Sequence, residues 1–167
     1  LSTTVEAVFV AHAAGKLEEL AGRIATCLGK LSTDQVWARG GEHENAIGNL
    51  MLHLCGNVRQ WIGVGVAGLP DIRQRDTEFD ARSGLGPTEL AARLSVVVAD
   101  AVETIGSLRP SELLRITRVQ DRELTVLEAV AHVVEHFAQH TGQIILLTKH
   151  ATGEDLGFFA HLRAASR

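Results

Sequence analysis

Three histidines spaced four apart, His132, His136 and His140, lie in the stretch "HVVEHFAQHTGQ" of a chain with eight histidines in all. At helical pitch such positions drift by only about 40° per step, so the three imidazoles share one stripe of one helix. Imidazoles at i and i+4 can hold a divalent metal from one side. A third from another helix completes a three-histidine set with a position left open for chemistry. One ion cannot take all three of these, because His132 and His140 are separated by roughly 12 Å of axial rise while a Zn–N bond is about 2.0–2.1 Å. Two of them would bind and one would do something else. Against this stands the ordinary case, an isolated histidine hydrogen-bonded in an apolar helix, and HxxxH alone is a short pattern.

A second polar stripe strengthens the metal reading. Asn49, His53, Asn57 and Gln60 fall at spacings of four, four and three within a run rich in Leu, Met, Val and Trp. Leu50 and Leu54 flank His53 on the helical wheel, which turns it toward the interior or its rim. Gln143 extends the histidine line beside Val133, Phe137, Ile144 and Leu147. Two such lines destabilise a core unless their groups find partners. His12, His43, His150 and His161 lack this context and read as solvent-facing or locally hydrogen-bonded.

Other chemistries find less support. Cys55 is two residues from His53 and so nearly on the opposite side of their helix, which disfavours a Cys/His nucleophile pair. Cys27 and Cys55 have no CxxC spacing and read as packing residues. The chain has no GxSxG elbow, no GxGxxG, no P-loop and no Glu-x-x-His pair, so hydrolase, dinucleotide, nucleotide and di-iron readings are unsupported.

The elements that must position these groups are helical. Apolar residues recur at helical spacing over about 3–28, 44–67, 87–108 and 125–152, and no segment alternates long enough for a central strand. Pro87 suits a first helical turn, Gly29 a stop, and Thr125 with Glu128 a capping box. Four helices with apolar faces predict an all-α four-helix bundle over a single domain, 1–167. The link of residues 68–86 is long enough to cross the bundle lengthwise, since neighbouring bundle helices are usually joined by about 2–8 residues. Helices two and three are therefore expected to run parallel. "RITRVQDRELTV" reads as a small hairpin around Asp121-Arg122 or an extended loop, and "EDLGFFAHLR" as a short C-terminal helix weakened by Gly157.

The net charge of −4, with 16 basic and 20 acidic residues and no basic run, argues against nucleic acid as a partner. The opening "LSTTVEAVFVAHAAGKLEEL" has no basic leader before an apolar core, and its charges interrupt it too early for a membrane span. With two unpaired cysteines, the expected compartment is the cytoplasm.

At "NLMLHLCGNVRQWI", "RQRDTEFDARSGLGPTEL" and "TVLEAVAHVVEHFAQHTGQIILLTK" the chain resembles the DinB-like superfamily of bacterial four-helix proteins. The resemblance implies one metal-binding histidine from helix two and two from helix four, commonly on zinc or nickel: His53, with His136 and His140 just before "TGQI". His132 then falls outside the ligands, as a donor behind them or a core residue, while Asn57, Gln60 and Gln143 either orient ligands or substrate or make ordinary core hydrogen bonds. The family often has Arg where Thr141 stands. Some relatives are metal-dependent transferases or isomerases using low-molecular-weight thiols, which implies a detoxification or stress role, with a thiol and an electrophile as small-molecule partners. The alternative is a non-catalytic metal-binding bundle acting through oligomerisation or partner contact, and a homodimer is expected. Arg73, Arg75, Asp76, Glu78 and Phe79 resemble a recurring stretch of the family. The plainer expectation for it is a solvated link plugged by Phe79. The sharper one is that Arg73 or Arg75 binds an acidic thiol or substrate at the cavity mouth.

Overall fold

The computed structural model describes residues 4–160 and 162; His161 and the expected helix start at residue 3 lie outside them. Four long helices form the bundle. Helix α1, Val5–Leu28, is opened by the Thr4 side chain accepting from the Ala7 amide and buries Leu17, Leu20 and Ile24. Helix α2, Thr33–Trp37, was not anticipated: five residues are too few to display a periodic face, and its only signal is the Ser32/Gln35 capping box. Helix α3, Ile47–Val58, starts three residues later than the periodicity suggested. Helix α4, Arg75–Asp80, lies within the crossover. Helix α5, Pro87–Gly106, begins with Pro87 in its first turn and is capped by Glu89 accepting from the Gly86 amide. Helix α6, Val126–Thr152, begins at the expected Thr125/Glu128 capping box and ends at Gly153, whose φ of +70° is the left-handed stop that glycine supplies without strain.

Around the bundle the order is α1, α5, α3, α6, each packed on the next and α6 back on α1. Cys55 lies near Arg93, while Ile62 and Gly63 share a groove with Asp100 and Thr104, so α3 and α5 run parallel as the long link requires. The interior is filled by Leu17, Ile24, Met51, Leu54, Leu94, Ile105, Val133 and Phe137. No helix among the described residues is long and apolar enough to cross a membrane.

Two departures shape the site. The expected single helix over residues 44–67 changes at Arg59 into a π-helix, Arg59–Val66. Strand β1, Ile116–Val119, packs against its last turn and pairs with β2, Arg122–Thr125. Thr117 Oγ1 donates to the Gly65 carbonyl, and Arg115 Nη2 to the Val66 carbonyl at 2.8 Å. A Cβ at Gly65 would collide with Val119, so the hairpin lies directly on the π turn. Of the two readings of this segment the hairpin is the one formed, and its tight turn is Gln120-Asp121, one residue earlier than the sequence pattern suggested, with φ of 52° and 60°.

The second departure is the crossover, which is more than a solvated link. Asn49 takes the Ala46 amide at 3.1 Å and Arg39 Nη2 at 2.6 Å on its Oδ1, while its Nδ2 donates to the Glu78 and Ala81 carbonyls at 2.8 and 2.9 Å. Trp37 Nε1 donates to the Leu85 carbonyl at 3.1 Å. Gly48 leaves room for the Trp37 ring, which a Cβ there would meet at 2.8 Å. The second half of the crossover is thereby fixed against α2 and α3, and Glu78 is buried. After α6 the tail docks through buried Leu156 and turns at Phe158 and Phe159; of the expected C-terminal helix Ala160 and Leu162 are helical, and its positions 161 and 163 lie outside the described residues.

Candidate metal centre

Helices α3 and α6 bring their polar stripes face to face. His53 is buried, and His136 and His140 are partly exposed. His136 Nε2 lies 3.1 Å from His53 Nε2 and 3.1 Å from His140 Nε2, and one ligand nitrogen from each ring lies within 4.8 Å of the others.

The hydrogen bonds behind two of the rings assign their tautomers. Glu78 Oε2 stands 3.0 Å from His53 Nδ1, and a carboxylate can only accept, so Nδ1 carries the proton and Nε2 presents its lone pair to the cluster. Gln143 Oε1 does the same for His140 Nδ1 at 2.6 Å. Three Nε2 atoms then converge with at most one proton available on His136. That proton can serve one neighbour, leaving the other contact lone pair against lone pair. A shared cation satisfies all three at once, and tetrahedral Zn–N bonds would set the nitrogens about 3.3 Å apart. The donor set therefore fits a divalent metal with an open position.

The electrostatics favour the neutral form of His136 and His140, as metal binding needs. Burial, with the neighbouring His140, His53 and His132 charges and Arg73, pushes His136 down to about 3. Burial also lowers His140, although its Gln143 bond acts the other way. For Glu78, burial pulls upward, but hydrogen bonds from Arg73 and His53 outweigh it and hold the carboxyl below its usual range. That carboxylate is gripped at both oxygens: Arg73 Nε donates to Oε1 at 2.8 Å and Nη2 to Oε2 at 2.7 Å, with both side chains buried.

The other residues singled out from the sequence take varied places. Gln143 orients His140. Gln60 does not touch the imidazoles; its Oε1 accepts from Arg73 Nη1 at 2.9 Å and from Gln120 Nε2 at 2.7 Å, linking the hairpin turn to the arginine. Asn57 is buried beside the cluster and its Oδ1 has no protein partner. His132 stands outside the cluster, its ring 4.0 Å from that of Trp61, and burial and Arg122 lower its pKa. Arg73 reaches the centre from behind, committed to Glu78 rather than free at a mouth; its Nη2 and His53 Nδ1, 3.1 Å apart, both donate to Glu78 Oε2. Arg75 lies 4.8 Å over the Phe79 ring, itself 4.7 Å from His53. His12, His43 and His150 are exposed. Cys27 and Cys55 are buried free thiols, and burial pushes Cys55 up to about 11, far from a nucleophile.

Glu78 was not among the residues the stripes pointed to, because it lies outside any long periodic helix. Its signal was Gly56. Glycine in a helix interior costs about 1 kcal/mol against alanine, and here a Cβ would collide with Glu78 Oε1 and sit 2.9 Å from Arg73 Nε.

This architecture has relatives. A crystal structure titled as the conserved protein of a locus from Enterococcus faecalis superposes with a TM-score of 0.73 at 13% identity, covering 92% of this chain and all of that one. No curated protein matches. The match at that identity speaks for the fold, which is DinB-like, while the family model described as a protein of unknown function (DUF1572) matches residues 4–163. By that match over nearly its whole length, the chain belongs to the DUF1572 family.

Proposed function

We propose that His53, His136 and His140 bind one divalent metal, zinc or nickel, and that the protein is a metal-dependent transferase acting on a low-molecular-weight thiol and an electrophile. The observation that carries this reading is the convergence of three Nε2 atoms, two with their far ring nitrogens already held by Glu78 and Gln143. When bound, the cation would lower the pKa of a thiol placed at its open position, making it nucleophilic near neutral pH. The chain's own part is orientation. Glu78 and Arg73 fix His53, Gln143 fixes His140, and Phe79 covers the His53 ring. The partial exposure of His136 and His140 leaves an approach for small molecules. A cytoplasmic setting suits the two free cysteines.

Elemental analysis of the wild type and of His53→Ala, His136→Ala, His140→Ala and His132→Ala tests the metal. One equivalent is expected in the wild type and His132→Ala, and little in the other three. Full metal in His136→Ala would refute the assignment. Screening holo-protein against common low-molecular-weight thiols with a model electrophile then tests the transferase.

A second reading, a metal-binding bundle acting as a homodimer or partner-binding module, is favoured by one surface. A groove of about 310 Å³ between α1 and α5 is lined largely by small side chains, among them Ala21, Gly22, Ala25, Ala91, Ser95 and Ala99. Small residues let another helix approach closely. Sedimentation with and without chelator separates the two: metal-dependent association without turnover on any thiol supports the second.

A further inference from the structure

We infer that Asn57 is the third orienting residue of the centre, its Oδ1 taking the Nδ1–H of His136 directly or through one bridging water. This rests on the metal reading above. Ligating histidines almost always donate their other ring N–H to an acceptor, which fixes the tautomer and raises ligand basicity. His53 and His140 obey the rule through Glu78 and Gln143. His136, the ring in contact with both, has a buried Nδ1 with no protein partner.

The acceptor is close by in the fold. Four buried side-chain polar atoms among the described residues lack a partner: Arg39 Nε, Asn57 Oδ1, Trp61 Nε1 and His136 Nδ1. Asn57 Oδ1 is the only one of them that cannot donate. Along α3 and its π continuation, Asn57 lies four residues after His53 and four before Trp61. His53 meets His136 at 3.1 Å, and the Trp61 ring meets that of His132 at 4.0 Å. Asn57 therefore faces α6 over the turn between His132 and His136. Its terminal amide torsion is broad, so a modest rotation changes where Oδ1 points. A water at that level could accept from both His136 Nδ1–H and Trp61 Nε1–H while donating to Asn57, the two to four partners that a buried water requires. An asparagine left without a partner in an apolar interior would otherwise be a net loss.

Asn57 is thus a positioning residue, and its test needs readouts that packing alone does not move. Wild type, Asn57→Leu and Asn57→Asp are loaded with Co²⁺. Affinity is read by competition with a chromophoric chelator, the coordination by visible absorption, and the His136 Nδ1–H by imidazole NMR. Asn57→Leu should weaken binding by about 10–100-fold, alter the absorption envelope and lose the slowly exchanging His136 proton. Asn57→Asp, which keeps an acceptor, should retain that proton and bind at least as well as the wild type. Unchanged affinity and an unchanged proton in folded Asn57→Leu would overturn the inference. Should Asn57→Leu fail to fold, Asn57→Ala replaces it, and the same comparison with Asn57→Asp decides. A wild type that takes up no Co²⁺ would refute the metal reading instead. The His136 proton, followed in apo wild type and apo Asn57→Leu, would still separate the outcomes: loss in the variant supports the hydrogen bond and persistence refutes it.

Discussion

Glu78 reaches out of a six-residue helix in the crossover to place Oε2 3.0 Å from His53 Nδ1, twenty-five positions back in the chain. The crossover is therefore part of the centre, and the carboxylate joins a histidine of α3 to a buried arginine.

Replacing Glu78 by glutamine should accordingly do two things. The acceptor for His53 Nδ1–H weakens, which should lower metal affinity by about 10–100-fold. Arg73, 5% exposed at its side chain, also loses its counter-charge, and breaking a buried pair on one side costs on the order of 3–5 kcal/mol. Chelator competition and urea unfolding read the two effects separately. Wild-type affinity in Glu78→Gln would mean the carboxylate is structural alone.

Gly56→Ala offers a sharper contrast, because local propensity and the centre pull in opposite directions. Alanine should stabilise a helix interior by about 1 kcal/mol. Here its methyl would occupy the space of Glu78 Oε1 and crowd Arg73 Nε at 2.9 Å. The expected result is a less stable protein with weakened metal binding. A more stable variant with full affinity would show that the Glu78–Arg73 pair can shift without consequence.

Legibility in the sequence followed the range of each interaction. The four long helices and the two polar stripes could be read because period and polarity coincide on elements of twelve residues or more, while the choice of His136 and His140 over His132 came from the family resemblance. The parallel course of α3 and α5 followed from link length. The π segment could not be read, since the partners of its last carbonyls, Gly65 and Val66, are Thr117 and Arg115, about fifty residues on in the chain. The burial of Arg73 and Glu78 was equally hidden, because it depends on Asn49 and Arg39 anchoring the crossover from α3 and the α2–α3 link. Glycines 48, 56 and 65 mark the places where side chains from other elements press against α3 and its continuation.

The hairpin turn supplies a test free of the metal. Asp121 holds a φ of 60°, its side chain is fully exposed, and its contact with Arg118 is 3.7 Å long. A left-handed conformation costs a non-glycine residue roughly 1–2 kcal/mol, while an exposed ion pair contributes at most about 1 kcal/mol. Asp121→Gly should therefore raise the melting temperature slightly and leave metal content unchanged. A lower melting temperature would show that the Asp121 side chain matters more than its backbone strain.

Acid should act on the centre in a defined direction. His136 is held down to about 3 in the folded protein against 6.5 for the free side chain, chiefly by burial and then by its histidine neighbours. The unfolded chain thus binds a proton that the folded chain refuses. The contribution of this group to stability is complete above 6.5 and declines as pH falls from there toward 3, with burial of His140 adding in the same sense. Protons displace metal from the folded chain only near its own lowered pKa values, so the holo and apo forms should lose stability together as pH falls from 6.5, and the advantage of the holo form should close only as pH approaches about 3. Thermal melts at pH 7.5 and 5.5, with and without chelator, should both move down at the lower pH while the gap between them stays open. In His136→Leu, with the titrating group removed, the apo protein should lose less stability between those two values than the apo wild type. Equal losses in the two proteins would place the acid sensitivity elsewhere, and a chelator-independent melt at pH 7.5 after verified metal removal would count against a metal at the three imidazoles.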